Sequence, residues 1–362
     1  MRYERIPTDN PIRQIWNRMG ILSSLSGAMK FLETAVAEKE ISLDPSIVKE
    51  KARGLAFCLR SAREYFSVSV EGNLTSACLA YYYGTFSLLK ALLLADVSND
   101  VTLSQIEKYT RYGHGLGTMS EDRSKFPESE LLMILANGFL PCFLKACGYD
   151  IANMAVNRRY NNIGEVDDVD KPKLIPLADL LSRIPEIKPI YVELFKRQPD
   201  YLSYRIQKIP GNNLVHITAP FYRNSPYLNA DSIRKVLGLP PSVQFIEIDE
   251  YGERGLRTTS GVAEYFVDGR RIYESVMAYD CYVSPLLGIG DVLLFDFMFL
   301  YTLSIWVRYR PALWRELMEG DYDAFRPLIV DFLTVAERII PNIVLNRLYD
   351  RKFLFAGFSY YS

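Results

Sequence analysis

The sequence predicts an α+β fold that is predominantly α-helical, with the N- and C-terminal helices in one bundle and a smaller β-containing middle segment. Three observations indicate this fold: a helix that is apolar on nearly all sides at 73–96, apolar helical patterns from residue 286 onward, and strand patterns concentrated in the middle. The order of helical, mixed and helical segments favours a β-containing insert within a helical body. We therefore divide the chain into an N-terminal bundle at 1–150, a mixed segment at 151–285 and C-terminal helices at 286–362 that pack back on the bundle.

The stretch 73–96 is the element around which the other helices are predicted to pack. Its apolar side chains, Tyr82 and Phe86 among them, recur in steps of three and four, and this pattern is typical of a buried helix. A thin polar row that includes Tyr83 and Lys90 interrupts the apolar surface. A lysine in such a helix must reach water, pair with an acid or lose its charge.

The remaining elements are assigned from periodicity and from turn residues. One or two helices, broken near Ser23, are predicted at 11–39, and short helices broken by Pro185 and Pro189 are predicted at 174–197. Further helices are predicted at 45–71, 103–110, 139–147, 231–237, 290–308, 312–320, 323–339 and 341–351. Strands are predicted at 130–136, 201–208, 214–219, 243–249 and 265–275, with a hairpin turn at 210–213.

Composition excludes several classes of protein. The 362 residues carry a net charge of −1, so no global attraction to nucleic acid or anionic membrane is expected, although a local basic patch stays open. Five cysteines without a C-x-x-C pair and only two histidines predict no disulfide framework, no metal site and no cofactor, and they suit a reducing cytoplasm. The N-terminus has no signal-peptide pattern, and the apolar stretch 286–307 contains two aspartates, so we expect a buried helix and no membrane span.

His114 is the first candidate for chemistry, because it stands between two glycines and is one of only two histidines. An imidazole on such a tight loop can act as a general base, or it can anchor a structural turn through a hydrogen bond. Arg111 lies three positions earlier and is the guanidinium that would act with it. We name Arg111 and His114 as candidate catalytic residues and keep the structural turn as the alternative.

A second set of residues is a candidate for binding an anion. Lys90 and Tyr83 would line a pocket beside the histidine loop, and Arg308, Arg310 and Trp314 form a basic-aromatic cluster that suits phosphates or bases. Each has a structural alternative. The lysine can lie at the helix surface or meet a carboxylate, and the cluster can pack two helices together with acidic partners.

Five segments, in this order along the chain, resemble the bacterial YaaC-like family: LAYYYGTFSLLKALLLAD, GHGL, ESELLMILANGF, LSIWVRYRPALW and IIPNIVLNRL. In that family a YYG-x-x-x-LLKA helix is followed by an HG loop, a strand that ends in NG-F and a helix with an RYRP-x-x-W segment. The resemblance spans most of the chain and implies a shared fold more than a defined activity. The YYY-LLKALL helix also resembles the core helix of HEPN-type bundles, many of which are RNases or toxin components.

The HEPN signature for RNase activity is an arginine followed, after four to six residues, by a histidine. Here Arg111 precedes His114 by three positions, and Glu107, Lys108 and Tyr109 stand where the signature requires arginine. The other histidine, His216, has no arginine at that spacing either. The resemblance therefore does not carry the catalytic residues over to this chain.

The sequence leaves two functions open. The favoured one is a non-catalytic interaction or scaffold component of the bacterial cytoplasm, with a protein partner or a second copy of itself, in a stress or phage-defence system. It is favoured because no nucleotide-binding, hydrolase or metal motif occurs. The alternative is an RNase-type enzyme that acts on nucleic acid through Arg111 and His114.

Overall fold

The computed structural model describes residues 2–120, 122–202, 205–208, 215–218, 229–237, 239–250, 253–259, 272–277 and 281–356. Within them the protein is predominantly α-helical with several small sheets, so the predicted fold class is confirmed. The helices are α1 (Pro11–Gly20), α2 (Leu25–Glu38), α3 (Pro45–Tyr65), α4 (Leu74–Ala95), α5 (Leu103–Thr110), α6 (Phe139–Ala146), α7 (Leu177–Leu181), α8 (Lys188–Phe195), α9 (Ala230–Leu237), α10 (Val292–Tyr309), α11 (Pro311–Glu319) and α12 (Arg326–Tyr349). The strands are β1 (Arg2–Pro7), β2 (Leu116–Ser120), β3 (Glu130–Leu135), β4 (Ala155–Val156), β5 (Ile175–Pro176), β6 (Tyr201–Leu202), β7 (Arg205–Lys208), β8 (Val215–Thr218), β9 (Phe245–Glu250), β10 (Glu253–Thr258), β11 (Ile272–Tyr273), β12 (Cys281–Val283) and β13 (Arg351–Ala356).

The chain forms two compact units, one made of Met1–Leu177 with Asp296–Ser362 and the other of Ala178–Phe295. The domain limits at 150 and 285 stay a prediction. Both ends of the chain contribute to the first unit, where β1 pairs in parallel with β13. In that unit β2 also pairs antiparallel with β3, and β3 pairs with the short strands β4 and β5.

Helix α4 is the buried helix that the sequence places at the centre of the bundle. The side chain of Asn73 caps it by accepting a hydrogen bond of 2.9 Å from the backbone N–H of Ser76. Helices α3 and α12 pack on it, and Leu88 has no exposed surface, as predicted. Gly84 permits the close approach of α3, because a Cβ at this position would lie 2.7 Å from the Phe66 ring.

Two C-terminal helices complete the core of the first unit. From Asp296 onward α10 belongs to this unit, and its Phe297 ring lies with its centroid 5.7 Å from that of Tyr82. Helix α12 runs without interruption through Pro341, whereas the sequence predicted separate helices before and after this residue. A proline inside a helix removes one hydrogen bond. The helix continues because its neighbours Ile340 and Val344 are fully buried, and this packing outweighs the lost bond.

The second unit contains two small sheets, with strand orders β7-β8-β10-β9 and β11-β12-β6. The predicted strands at 214–219 and 243–249 correspond to β8 and β9, and the predicted helix at 231–237 corresponds to α9. The single strand predicted at 201–208 is instead two strands, β6 and β7, in different sheets, and β10 and β12 were not predicted. The hairpin turn at 210–213 and most of the strand at 265–275 lie outside the described residues. Arg183 connects segments of this unit that are distant in sequence. Its Nε donates to the Ser284 carbonyl at 2.8 Å, and its Nη1 lies 3.2 Å from a carboxylate oxygen of Asp200.

Helices α4 and α10 are long and apolar enough to cross a membrane by the criteria of length and composition. However, 78% of the most apolar window of α4 and 83% of that of α10 are buried inside the protein. The core helix of a water-soluble protein has the same properties, so these two helices are weak support for a membrane location.

Candidate functional site

The loop that carries His114 is joined directly to the start of α6. The backbone N–H of Phe139 donates to the Gly113 carbonyl at 3.3 Å, and the N–H of Leu140 donates to the His114 carbonyl at 3.0 Å. The first N–H groups of a helix have no acceptor inside the helix, and here the loop supplies the acceptors. The HG loop and the NG-F segment are therefore two sides of one junction.

The junction requires glycine at position 138, for two reasons. The φ of Gly138, +121°, lies in a region that side chains rarely adopt. A Cβ on Gly138 would also lie 2.4 Å from the backbone nitrogen of Gly115. The two loops touch backbone to backbone, and this contact fixes the position from which the imidazole of His114 projects.

The imidazole of His114 contacts two aromatic side chains of α4. Its Nδ1 is hydrogen-bonded to the hydroxyl of Tyr82. Its ring centroid lies 4.7 Å from that of Phe86. Sequence reasoning assigned Tyr82 to the apolar surface of the helix and named Tyr83 as the polar partner, so the partner is one position earlier than expected.

Two cationic side chains approach the same pair of rings. The Nζ of Lys90 lies 4.3 Å from the centroid of Phe86. The guanidinium carbon of Arg308 lies 6.0 Å from the centroid of Tyr82, and its Nη1 donates to the hydroxyl of Tyr83 at 3.1 Å. We call these six residues the His114 cluster: Tyr82, Tyr83, Phe86, Lys90, His114 and Arg308.

The cluster carries positive charge, and no acid among the described residues forms an ion pair with it. Within the described residues, no carboxylate lies at ion-pair distance from Lys90, His114 or Arg308. Burial lowers the pKa of Lys90, while Cys58 and Glu107 oppose this shift. Lys90 and Arg308 are half-buried, so their charges are only partly screened by water.

His114 is held in its neutral form. Burial, with smaller contributions from Arg308 and Lys90, lowers the pKa of its imidazole to about 4. At neutral pH the cluster therefore contains a neutral imidazole between an ammonium and a guanidinium group. Burial also raises the pKa of Tyr82, which keeps its hydroxyl protonated.

The other predicted site residues have different surroundings. Arg310 binds the carboxylate of Glu130 with two hydrogen bonds of 2.6 and 3.0 Å, and Glu130 is only 1% exposed. The indole N–H of Trp314 donates to the hydroxyl of Thr75 at 3.0 Å. The contacts of Arg310 and Trp314 match the structural alternative, in which these side chains hold helices together, whereas Arg308 belongs to the His114 cluster.

Arg111 follows the last turn of α5 and is exposed. It makes no side-chain hydrogen bond or ion pair with a described residue. Arg308, from the other end of the chain, is the guanidinium that lies close to His114.

The described residues include no group of three or more His, Cys, Asp or Glu side chains that could hold a metal ion. No disulfide joins any of the five cysteines to another described residue. The expectation that the protein needs neither a metal nor a cofactor stays a prediction.

The fold and the His114 cluster define a mainly helical α+β protein with a cationic-aromatic site. The family model for YaaC-like proteins matches residues 21–348, which is most of the chain. The chain therefore belongs to the YaaC-like family. No curated protein and no solved structure matches it.

Proposed function

We propose that this YaaC-like chain is a cytoplasmic interaction protein that acts by binding, and that the His114 cluster binds a negatively charged group of its ligand. The observation that carries the proposal is that Lys90 and Arg308 lie around a neutral imidazole and have no ion-paired acid among the described residues. Half-buried cations without a counter-charge are costly, and an anion would offset that cost.

A phosphate group is the anion that suits these donors best. Guanidinium and ammonium groups are the usual protein partners of phosphate oxygens, and charge-assisted hydrogen bonds to them are strong. The hydroxyl of Tyr83 already accepts from Arg308 and can donate its own hydrogen to a further oxygen. Such a ligand could be part of a nucleic acid, of a nucleotide or of a modified protein partner.

Binding is favoured over proton transfer because of the protonation state of the imidazole. A general base works best when its pKa is near the working pH. With a pKa of about 4, His114 is a weak base at neutral pH. We extend the proposal to a bacterial stress or phage-defence system, which is the setting that the sequence analysis favours.

Calorimetric titration with inorganic pyrophosphate tests the proposal. We expect the wild-type protein to bind pyrophosphate, with an affinity that falls as salt is added. Replacing Arg308 by glutamine removes a charge-assisted contact and should weaken binding by about tenfold or more. The control is Arg53→Gln, since Arg53 is exposed and pairs with Glu50 at 2.6 Å on the helix surface. Absence of binding, or equal weakening by both substitutions, would contradict the proposal.

The second candidate function is an RNase with a HEPN-like core. It is kept because an imidazole, a guanidinium and an ammonium group come together, and this set can hold a phosphodiester while a proton is moved. In this version Arg308 replaces Arg111 as the phosphate-binding residue. Cleavage of RNA that the His114→Asn variant no longer performs would favour the enzyme. RNA that is bound but remains intact would favour the binding protein.

A further inference from the structure

The first unit contains a cleft of about 370 Å³ that shares no residue with the His114 cluster. It is lined by α1, the end of α3, the connection from α3 to α4, and α12. The side chains that carry the following argument are Arg13, Trp16, Arg63, Phe66, Glu71 and Glu337. A volume of this size is within the range of small-molecule sites, which begins at about 300 Å³.

One wall of the cleft is aromatic. Trp16 and Phe66 lie with ring centroids 5.7 Å apart, and Phe66 stacks on Tyr81 at 4.8 Å. Both lining rings are largely buried, with 6% and 3% of their surface exposed. The indole N–H of Trp16 has no acceptor among the described residues and is a donor that a ligand can use. Aromatic faces attract cations and apolar groups alike.

Glu337 brings a carboxylate to this aromatic wall. It is half-buried and makes no hydrogen bond or ion pair with a described residue. Burial raises its pKa, as expected for an acid that lacks a counter-charge. The hydroxyl of Tyr81 is fully buried and also has no hydrogen-bond partner among the described residues. Burial raises the pKa of this hydroxyl, and the nearby negative charge of Glu337 raises it further.

Two arginines line the same cleft at exposed positions. Neither Arg13 nor Arg63 forms an ion pair with a described residue. The second acid of the lining, Glu71, is exposed. The cleft therefore offers two unpaired guanidinium groups and a less exposed, unpaired carboxylate, with an aromatic wall as a third feature.

We infer that this cleft binds a small zwitterion of the amino-acid type, with its ammonium at Glu337, its carboxylate at Arg13 and Arg63, and its side chain against Trp16 and Phe66. The charges select this class. A polyamine would be repelled by the two arginines, and a simple organic acid would meet the carboxylate of Glu337 without compensation.

Three related probes test the inference by calorimetry on the full chain. Phenylalanine carries both charges, phenethylamine lacks the carboxylate, and 3-phenylpropionate lacks the ammonium group. We expect phenylalanine to bind about tenfold more tightly than either of the other two, because only it satisfies both ends of the cleft. The inference is overturned if none of the three binds, or if either single-charge probe binds as well as phenylalanine.

Two substitutions test which charged residue of the cleft binds the ammonium group of the ligand and which binds its carboxylate. Glu337→Gln should weaken phenylalanine and phenethylamine by about tenfold and leave 3-phenylpropionate unchanged or improved. Arg63→Gln should weaken phenylalanine and 3-phenylpropionate instead. The control is Glu33→Gln, an exposed acid on α2 outside the cleft. Glu337→Gln should remain folded, because it removes an unpaired charge and keeps the shape of the side chain. Unchanged phenylalanine binding in both cleft variants would overturn the inference.

Discussion

Replacing Arg310 by methionine is expected to lower the free energy of unfolding by about 3–5 kcal/mol. The substitution leaves the carboxylate of Glu130, which is 1% exposed, without its cationic partner. Among the described residues, the one other polar partner of that carboxylate is the indole N–H of Trp306, which donates to it at 3.3 Å. Urea denaturation of both proteins measures the effect.

A double variant separates the buried charge from the loss of packing. In Arg310→Met with Glu130→Gln the unpaired charge is gone, so part of the lost stability should return. The exposed pair of Arg53 and Glu50 is the control, and breaking it should cost at most about 1 kcal/mol. If Arg310→Met and Arg53→Met cost the same, the ion pair of Glu130 does not stabilise the fold in the way described.

Replacing Leu88 by alanine is expected to cost about 2–5 kcal/mol. Leu88 has no exposed surface and lies in the middle of α4, where α3 and α12 pack. The lost methyl groups leave a cavity that rigid helices on both sides can close only in part.

The control for this variant is Leu25→Ala at the start of α2. Leu25 is 43% exposed, so its truncation should change the free energy of unfolding by about 0.5 kcal/mol or less. Urea denaturation under identical conditions compares the two. A cost at Leu88 no larger than that at Leu25 would contradict the central position of α4.

The helices could be predicted from the sequence because their signals are local. The apolar positions of α4 recur at helical spacing over 22 residues, and Asn73 marks its start. The strands β1 and β13 were not predicted, because their pairing is not local in the sequence. They lie at opposite ends of the chain, and each is only six residues long, so no local pattern shows that they pair.

The residues of the candidate site could be predicted only in part. Lys90, Tyr83, His114 and Arg308 stand out in the sequence because they are charged or polar within unusual surroundings. Tyr82 does not, since a tyrosine in an apolar row looks like a core residue until its hydroxyl partner is known.

The ion pair of Glu130 and Arg310 also could not be predicted from the sequence. A glutamate at the first position of β3 gives no sign that an arginine 180 positions later will neutralise it. Pairing between distant side chains depends on the fold, and the fold decides that Arg308 rather than Arg310 lies near His114.

The pKa of His114, followed by NMR, tests the central claim that a neutral imidazole lies between two cations that form no ion pair with any described residue. The chain has only two histidines, and the His114→Asn variant assigns the signal. We predict that His114 titrates at about 4, that the pKa rises in Arg308→Gln because a neighbouring positive charge is removed, and that it rises further with bound pyrophosphate. A pKa near the ordinary value of about 6.5 that neither the substitution nor pyrophosphate changes would contradict the account.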